Sequence, residues 1–179
     1  MQIIETQRLI IRNWESSDAN SLINIVNKPN IQKWLLDWDN PEEWIAKWIE
    51  NVKNHYIKDS PINDFISWAI ILKETNEIIG QINIGGDEFD NKEVEVAYFI
   101  DDSFTNLGYA TEATRAIVDC IFQRYGYTHI NAIIQPENYG SIATVKKLGF
   151  KYIGTIEKQL TGHSYPLLFD VFRLDNIKV

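Results

Sequence analysis

An apolar stretch, Val94–Ile100, is followed closely by Asn106-Leu107-Gly108-Tyr109-Ala110-Thr111-Glu112-Ala113-Thr114, and then by a helical apolar pattern running to Tyr125-Gly126. A second β-branched stretch, residues 129–135, comes straight after. Strand, long helix, strand marks a crossover between two parallel neighbours, and such crossovers are right-handed almost without exception. No other feature of the chain restricts its fold as much. It puts the turn at 106–110 at the C-terminal end of the first strand, where the helix's first N–H groups lack partners and its positive dipole end faces outward. That geometry suits phosphate oxygens. Gly108 lets a ligand approach the backbone without a Cβ in the way, and Ala110 keeps the first turn small. Neither GxxxxGK[ST] nor GxGxxG occurs, so a nucleoside triphosphate or a dinucleotide is not the natural ligand.

Periodicity and capping signals fill in the remainder. Residues 8–14 read as a first strand, and Ser16 or Ser17 caps a helix bearing Ala19, Leu22, Ile23 and Val26, stopped by Lys28-Pro29. A shorter helix covers 31–36. Asn40-Pro41-Glu42-Glu43 starts another, with Trp44, Ile45, Trp48, Ile49 and Val52 on one face. Phe65–Leu72 and residues 77–84 pair as a hairpin, Gly85-Gly86-Asp87 turns, and residues 93–100 are the next strand. After the crossover, Pro136 and Asn138 lead into a helix over 139–147 that Gly149 ends, and 150–157 with 167–174 form a closing antiparallel pair. The order predicts an α/β (α+β) fold: a mixed, mostly antiparallel sheet with one parallel crossover, flanked by helices. A length of 179 residues fits one domain, 1–179, able to bury roughly 70% of its unfolded surface.

Composition narrows the function. A net charge of −8 argues against nonspecific nucleic-acid binding and tolerates a cationic partner such as an amine. No apolar run is long enough for a membrane span, and no basic start precedes an apolar stretch, so the expected location is the cytoplasm. The single cysteine, Cys120, reads as a buried thiol in an apolar helix. His55, His129 and His163 lie far apart without cysteine or carboxylate spacing, and no metal is expected.

A second motif gives the crossover its meaning: Asn138-Tyr139-Gly140-Ser141-Ile142-Ala143-Thr144-Val145-Lys146-Lys147-Leu148-Gly149-Phe150. With Gly108-Tyr109-Ala110-Thr111-Glu112-Ala113 some thirty residues earlier, it resembles the coenzyme A-binding motifs of the GNAT superfamily of N-acetyltransferases. The opening Glu5-Thr6-Gln7-Arg8-Leu9-Ile10-Ile11-Arg12 and Asp170 in the last strand are similar to the ribosomal-protein N-terminal acetyltransferase (Rim-type) branch. The resemblance covers nearly the whole chain.

It implies an acetyl-coenzyme A-dependent enzyme in which two parallel strands splay and a pantetheine arm inserts like an added strand. Phe99, Ile100 and Asp101 are then expected to offer backbone groups to that arm. Asn106, Leu107, Gly108, Tyr109, Ala110 and Thr111 would hold the pyrophosphate, and Asn138 a pantetheine carbonyl. The tyrosine that protonates the departing thiolate in many members is Val145 here, so Ser141 becomes the expected general acid. Thr105 and Asn106 also depart from the usual phosphate loop. The oxyanion donor is expected at a backbone N–H near Phe99 or Ile100. Glu95 is the candidate base, and Glu112 a structural carboxylate at the helix start.

Trp34, Asp37 and Trp38 are the candidate acceptor-binding residues, an aromatic wall with a carboxylate for an ammonium, whereas Trp44 and Trp48 read as core. The acceptor is a primary amine, either a small molecule or a peptide: a protein N-terminus, a polyamine or an aminoglycoside. A monomer or homodimer is expected. The rival reading is a catalytically idle coenzyme A-binding module, motivated by Val145 and the altered loop; a nucleotide-binding protein is a second.

Overall fold

A computed structural model describes residues 3–36, 38–86, 93–160 and 164–177. In chain order the strands are β1 (Ile4–Glu5), β2 (Leu9–Asn13), β3 (Phe65–Leu72), β4 (Glu77–Gly86), β5 (Val94–Ile100), β6 (His129–Ile134), β7 (Lys151–Lys158) and β8 (Leu167–Asp175). The helices are α1 (Ala19–Val26), α2 (Pro29–Gln32), α3 (Pro41–Lys58), α4 (Tyr109–Tyr125) and α5 (Tyr139–Leu148). Among the described residues they form one sheet of order β1-β2-β3-β4-β5-β6-β8-β7. Its neighbours pair antiparallel except β5 and β6, which α4 connects in parallel. The mixed, mostly antiparallel sheet of the sequence reading is the one observed.

Strand alternation sorts side chains into two layers. Val94, Val96 and Ile100 face the core built with Ala113, Ile117 and Ile121 of α4 and Val145 of α5. Across the sheet, Ala69 and Ile71 pack with Leu22 of α1 and Ile45, Ile49 and Val52 of α3. The α4 and α5 ends follow their glycines: Gly126 and Gly149 both adopt left-handed backbone at the C-caps.

Local details differ from the sequence reading. Strand β1 is too short to show a period, and α2 is a single turn that stops before residue 36. Neither Ser16 nor Ser17 caps α1. A 3₁₀ turn, Ser16–Asp18, precedes it; Asp18 accepts from the Glu15 N–H and Arg12, while Ser16 Oγ donates to Glu50. Asn40 has left-handed backbone and makes no side-chain cap. Gly85 and Gly86 continue β4 instead of turning. A bare α-carbon is needed at Gly86 because a Cβ would lie 2.6 Å from the Ile62 carbonyl oxygen. Asp87 lies outside the described residues.

One polar pin joins three strands. Glu95 of β5, Asn131 of β6 and Arg173 of β8 stand side by side in the register. Glu93, just before β5, accepts from the Asn131 amide and takes both carboxylate oxygens to Arg173 Nη2, at 2.7 and 2.6 Å. Arg173 Nε also donates to Asn131 Oδ1 at 3.0 Å, and His129 Nε2 lies 3.0 Å from Glu93. Burial alone would raise the Glu93 carboxyl. Bonds from Asn131 and His129 and the Arg173 charge outweigh it and hold the group below its ordinary 4.5. A depressed carboxyl stabilises the fold above its unfolded value and loses that contribution as pH falls through the folded one. Glu93→Gln is therefore expected to cost about 1–3 kcal/mol at neutral pH in urea unfolding. The gap between variant and wild type should close on acidification well below pH 4.5.

Candidate active site

Strands β5 and β6 are bridged at a single position, Glu95↔Asn131. Beyond it they part, while β5 stays in continuous antiparallel register with β4 from Val94 to Ile100. The Asp101 N–H donates to Ile79 O at 2.8 Å, and a Cβ on Gly80 would sit 2.2 Å from the Phe99 carbonyl oxygen. Backbone groups of odd-numbered residues therefore face β4, and those of Val96, Tyr98 and Ile100 face the gap. Ile100, expected to offer backbone groups to the arm, is one of the residues whose backbone faces the gap. Phe99 instead turns its backbone away and sends its side chain to the α1/α3 layer. The Asp101 N–H and C=O are both in use, the latter by Phe104 N, and its carboxylate binds Ser103 N and Lys28 Nζ (2.5 Å). Tyr98 was missed; strand parity was the signal that could have found it.

Past β5 a 3₁₀ turn, Asp102–Phe104, feeds the loop. Asn106 (φ 61) and Gly108 (φ 84) adopt left-handed backbone, and Gly108 is the α4 N-cap without a side-chain cap. Among the described residues, the N–H groups of Asn106, Leu107, Gly108, Tyr109, Ala110 and Thr111 have no acceptor, the first helical bond being Glu112 N to Gly108 O. Such a run of oriented donors at a helix start is an anion cradle.

The cradle is tied to the opening motif. Thr6 Oγ1 (2.6 Å) and Arg8 N (2.9 Å) donate to Glu112 Oε1, and Arg8 Nε to Oε2 (2.7 Å). Arg8 Nη1 donates to the Leu107 carbonyl at 2.9 Å, and the guanidinium lies 4.3 Å above the Tyr109 ring. Burial would raise the Glu112 carboxyl; the bonds from Thr6 and Arg8 prevail and hold it low. Glu112 is structural, as the sequence suggested, but its partners lie about a hundred residues away.

Helix α5 starts opposite the gap. Asn138 Oδ1 caps it by accepting from Ser141 N at 3.2 Å, which leaves the Asn138 amide N–H groups to donate elsewhere. Tyr98 OH donates to the Ser141 carbonyl at 3.2 Å. Burial pushes the Tyr98 phenol up to about 12, against contacts with the Thr144 and Ser141 side chains, so it stays a donor. Val145 is fully buried in the core and offers no proton.

On the other face of β5, Trp38 meets Phe99 edge-on at 5.9 Å and contacts Trp44 and Trp48 at 5.1 and 5.8 Å. Trp44 and Trp48 pack against the α3-side core. Trp34 stands apart under Lys33 Nζ (4.4 Å). Glu95 shares the Phe99 face of β5 by alternation. Asp37 and His163 lie outside the described residues. His55 is engaged by Phe65 O and Asp64, and His129 by Glu93; no metal-binding cluster occurs among the described residues. Cys120 is half-buried rather than buried, and burial raises its thiol. Asp170 accepts from Thr155 Oγ1 at 2.7 Å.

A cleft of about 500 Å³ lies behind α4 against Leu148, Phe150 and Leu174. Its lining adds Arg115, Asp119 and Gln123 to those apolar groups, but the run of N–H groups without acceptors lies at 106–111 beside the gap between β5 and β6, which makes the gap the better site on chemical grounds. Arg8→Ala, which unties the cradle, is expected to weaken coenzyme A binding about ten- to a hundredfold in calorimetry. Unchanged affinity would show that the tether does not shape the cradle.

Comparison with known proteins agrees. A family model described as an acetyltransferase (GNAT) domain matches residues 8–151. An uncharacterised N-acetyltransferase, p20, of Bacillus licheniformis is 27% identical over 156 residues, spanning 87% of this chain and 86% of that protein. The Salmonella typhimurium acetyl transferase that modifies the N-terminal serine of 50S ribosomal subunit protein L7/L12 superposes with a TM-score of 0.81 at 18% identity, over 98% of this chain and 99% of its own. RimL, the ribosomal L7/L12 alpha-N-protein acetyltransferase in complex with coenzyme A, gives 0.79 at 18% identity, over 97% and 98%. At such identities the structures show the shared fold alone. The family match spans most of the chain: it belongs to the GNAT acetyltransferase family and is an acetyl-coenzyme A-dependent N-acetyltransferase.

Proposed function

We propose that this enzyme acetylates the α-amine of a peptide or protein N-terminus by direct transfer in a ternary complex. The observation that carries the transfer is the parted β5–β6 pair, with unpaired N–H groups at one end and Ser141 across from it. The N–H groups of 106–111 hold the pyrophosphate. Backbone groups of Tyr98 and Ile100 take the pantetheine arm, and the Asn138 side-chain amide donates to one of its carbonyls. Acetyl-coenzyme A supplies the activated acyl group. Oriented backbone N–H groups at the gap stabilise the oxyanion.

Glu95 and Ser141 belong to opposite sides of β5. An amine entering beside Phe99 and Trp38 gives its proton on the Glu95 side, while sulfur leaves toward Ser141 and takes one there. A singly charged acceptor suits the first face. Among the described residues of that side, Asp18 is already paired with Arg12 and Glu93 with Arg173, which favours a singly charged acceptor over a polyamine or an aminoglycoside. The fold shared with enzymes acting on ribosomal-protein N-termini supports the same acceptor class.

Mass spectrometry of peptides, spermidine and an aminoglycoside, each incubated with enzyme and acetyl-coenzyme A, is expected to show acetylated peptide α-amines. Ser141→Ala should lower kcat about a hundredfold with coenzyme A affinity unchanged. Tight coenzyme A binding without acceleration by any amine would instead favour an idle binding module, for which the buried Val145 is the motive.

A further inference from the structure

Tyr98 occupies the parted half of β5, two residues before its end, with its side chain beneath the first turn of α5. Its hydroxyl donates to the Ser141 carbonyl at 3.2 Å and contacts the hydroxyls of Ser141 and Thr144. Thr144 is fixed in turn by its own bond to the Gly140 carbonyl at 3.0 Å. The Ser141 N–H is already held by Asn138 Oδ1. Ser141 is therefore tied at both backbone ends, by one residue of its own cap and one from a strand of the gap.

The Tyr98 bond is not needed to satisfy the helix. A carbonyl in the first helical turn accepts from the N–H four residues on, here Val145, and its second lone pair is normally left to water. The bond offsets the desolvation of the buried phenol and adds little to the helix itself. What it fixes is the direction of the Ser141 Cα–Cβ bond relative to β5. The Val145 position, lying inside the core, cannot help.

We propose that Tyr98 is a positioning residue for proton delivery, aiming the Ser141 hydroxyl at the sulfur that leaves along β5. The inference rests on Ser141 being the proton donor. In the step served, the nitrogen–carbon bond forms and the carbon–sulfur bond breaks, with its electron pair staying on sulfur. Sulfur takes the Ser141 hydroxyl proton and the seryl oxygen is re-protonated from water, while the proton the amine gives up leaves on the Glu95 side. Tyr98 neither gains nor loses a proton. Its raised phenol keeps the tether intact across the working pH range.

A double-mutant cycle on the full chain tests this. Tyr98→Phe keeps the packed ring, and coenzyme A affinity within about twofold of wild type shows that each variant is folded. Tyr98→Phe should lower kcat about tenfold, with KM for acetyl-coenzyme A within about twofold. Tyr98→Phe on the Ser141→Ala background should cost nothing more. The acetyl selenoester of coenzyme A, whose selenolate departs without a proton, should restore Tyr98→Phe to near the wild-type rate. Wild-type kcat in Tyr98→Phe while Ser141→Ala is impaired overturns the positioning role alone, as does a full additional loss in the double variant. Wild-type kcat in Ser141→Ala overturns the proton-donor reading, and this inference with it.

Discussion

The site depends on where β5 and β6 stop being neighbours. A parallel pair joined at one position, Glu95↔Asn131, would drift without something to fix that point, and the Glu93–Asn131–Arg173 cluster supplies it. The cluster links the start of β5 to the middle of β6 and, through Arg173, to β8, which pairs with β6 along its full length. Strand β6 is thus committed to β8, β5 is committed to β4, and the two diverge from a pinned apex. The ion pair in the pin is modest, since Glu93 and Arg173 are only partly shielded from water. Its effect is geometric: backbone groups of Tyr98 and Ile100 face a gap instead of a strand.

Two further devices aim chemistry at that gap. The Arg8–Glu112 tether binds the chain's opening segment to the cradle of N–H groups, so that sequence motifs about a hundred residues apart form one physical unit. At the other end Asn138 and Tyr98 fix the first turn of α5. Between them β5 separates two environments. One face carries Trp38, Phe99 and Glu95; the other leads through Tyr98 to Ser141. A transfer reaction benefits from this division, because the entering amine and the departing sulfur need proton traffic in opposite directions.

Much of this was legible in the sequence, for local reasons. Gly108 and Gly149 mark left-handed positions, the β3–β4 hairpin announces itself by alternation, and the crossover follows from strand, helix, strand. What escaped were pairings set by distance. Nothing near Glu112 names Thr6 and Arg8 as its partners, and nothing near Glu93 names Arg173. Strand β8 slips between β6 and β7, an order that no local pattern encodes. Phe99 was chosen as a backbone donor by its place in a motif, but the β4 register turns that backbone inward and brings out Tyr98 and Ile100. Serine caps at Ser16 and Ser17 failed because both lie inside a 3₁₀ turn that ends at Asp18, held by Arg12, and the Ser16 hydroxyl is spent on Glu50.

The most direct measurement is a crystal structure with acetyl-coenzyme A bound. The pantetheine arm should run between β5 and β6 on the backbone of Tyr98 and Ile100, with its pyrophosphate on the N–H groups of 106–111 and its sulfur beside the Ser141 hydroxyl. A thioester seated in the cleft behind α4, or an arm hydrogen-bonded to neither strand, would contradict the account.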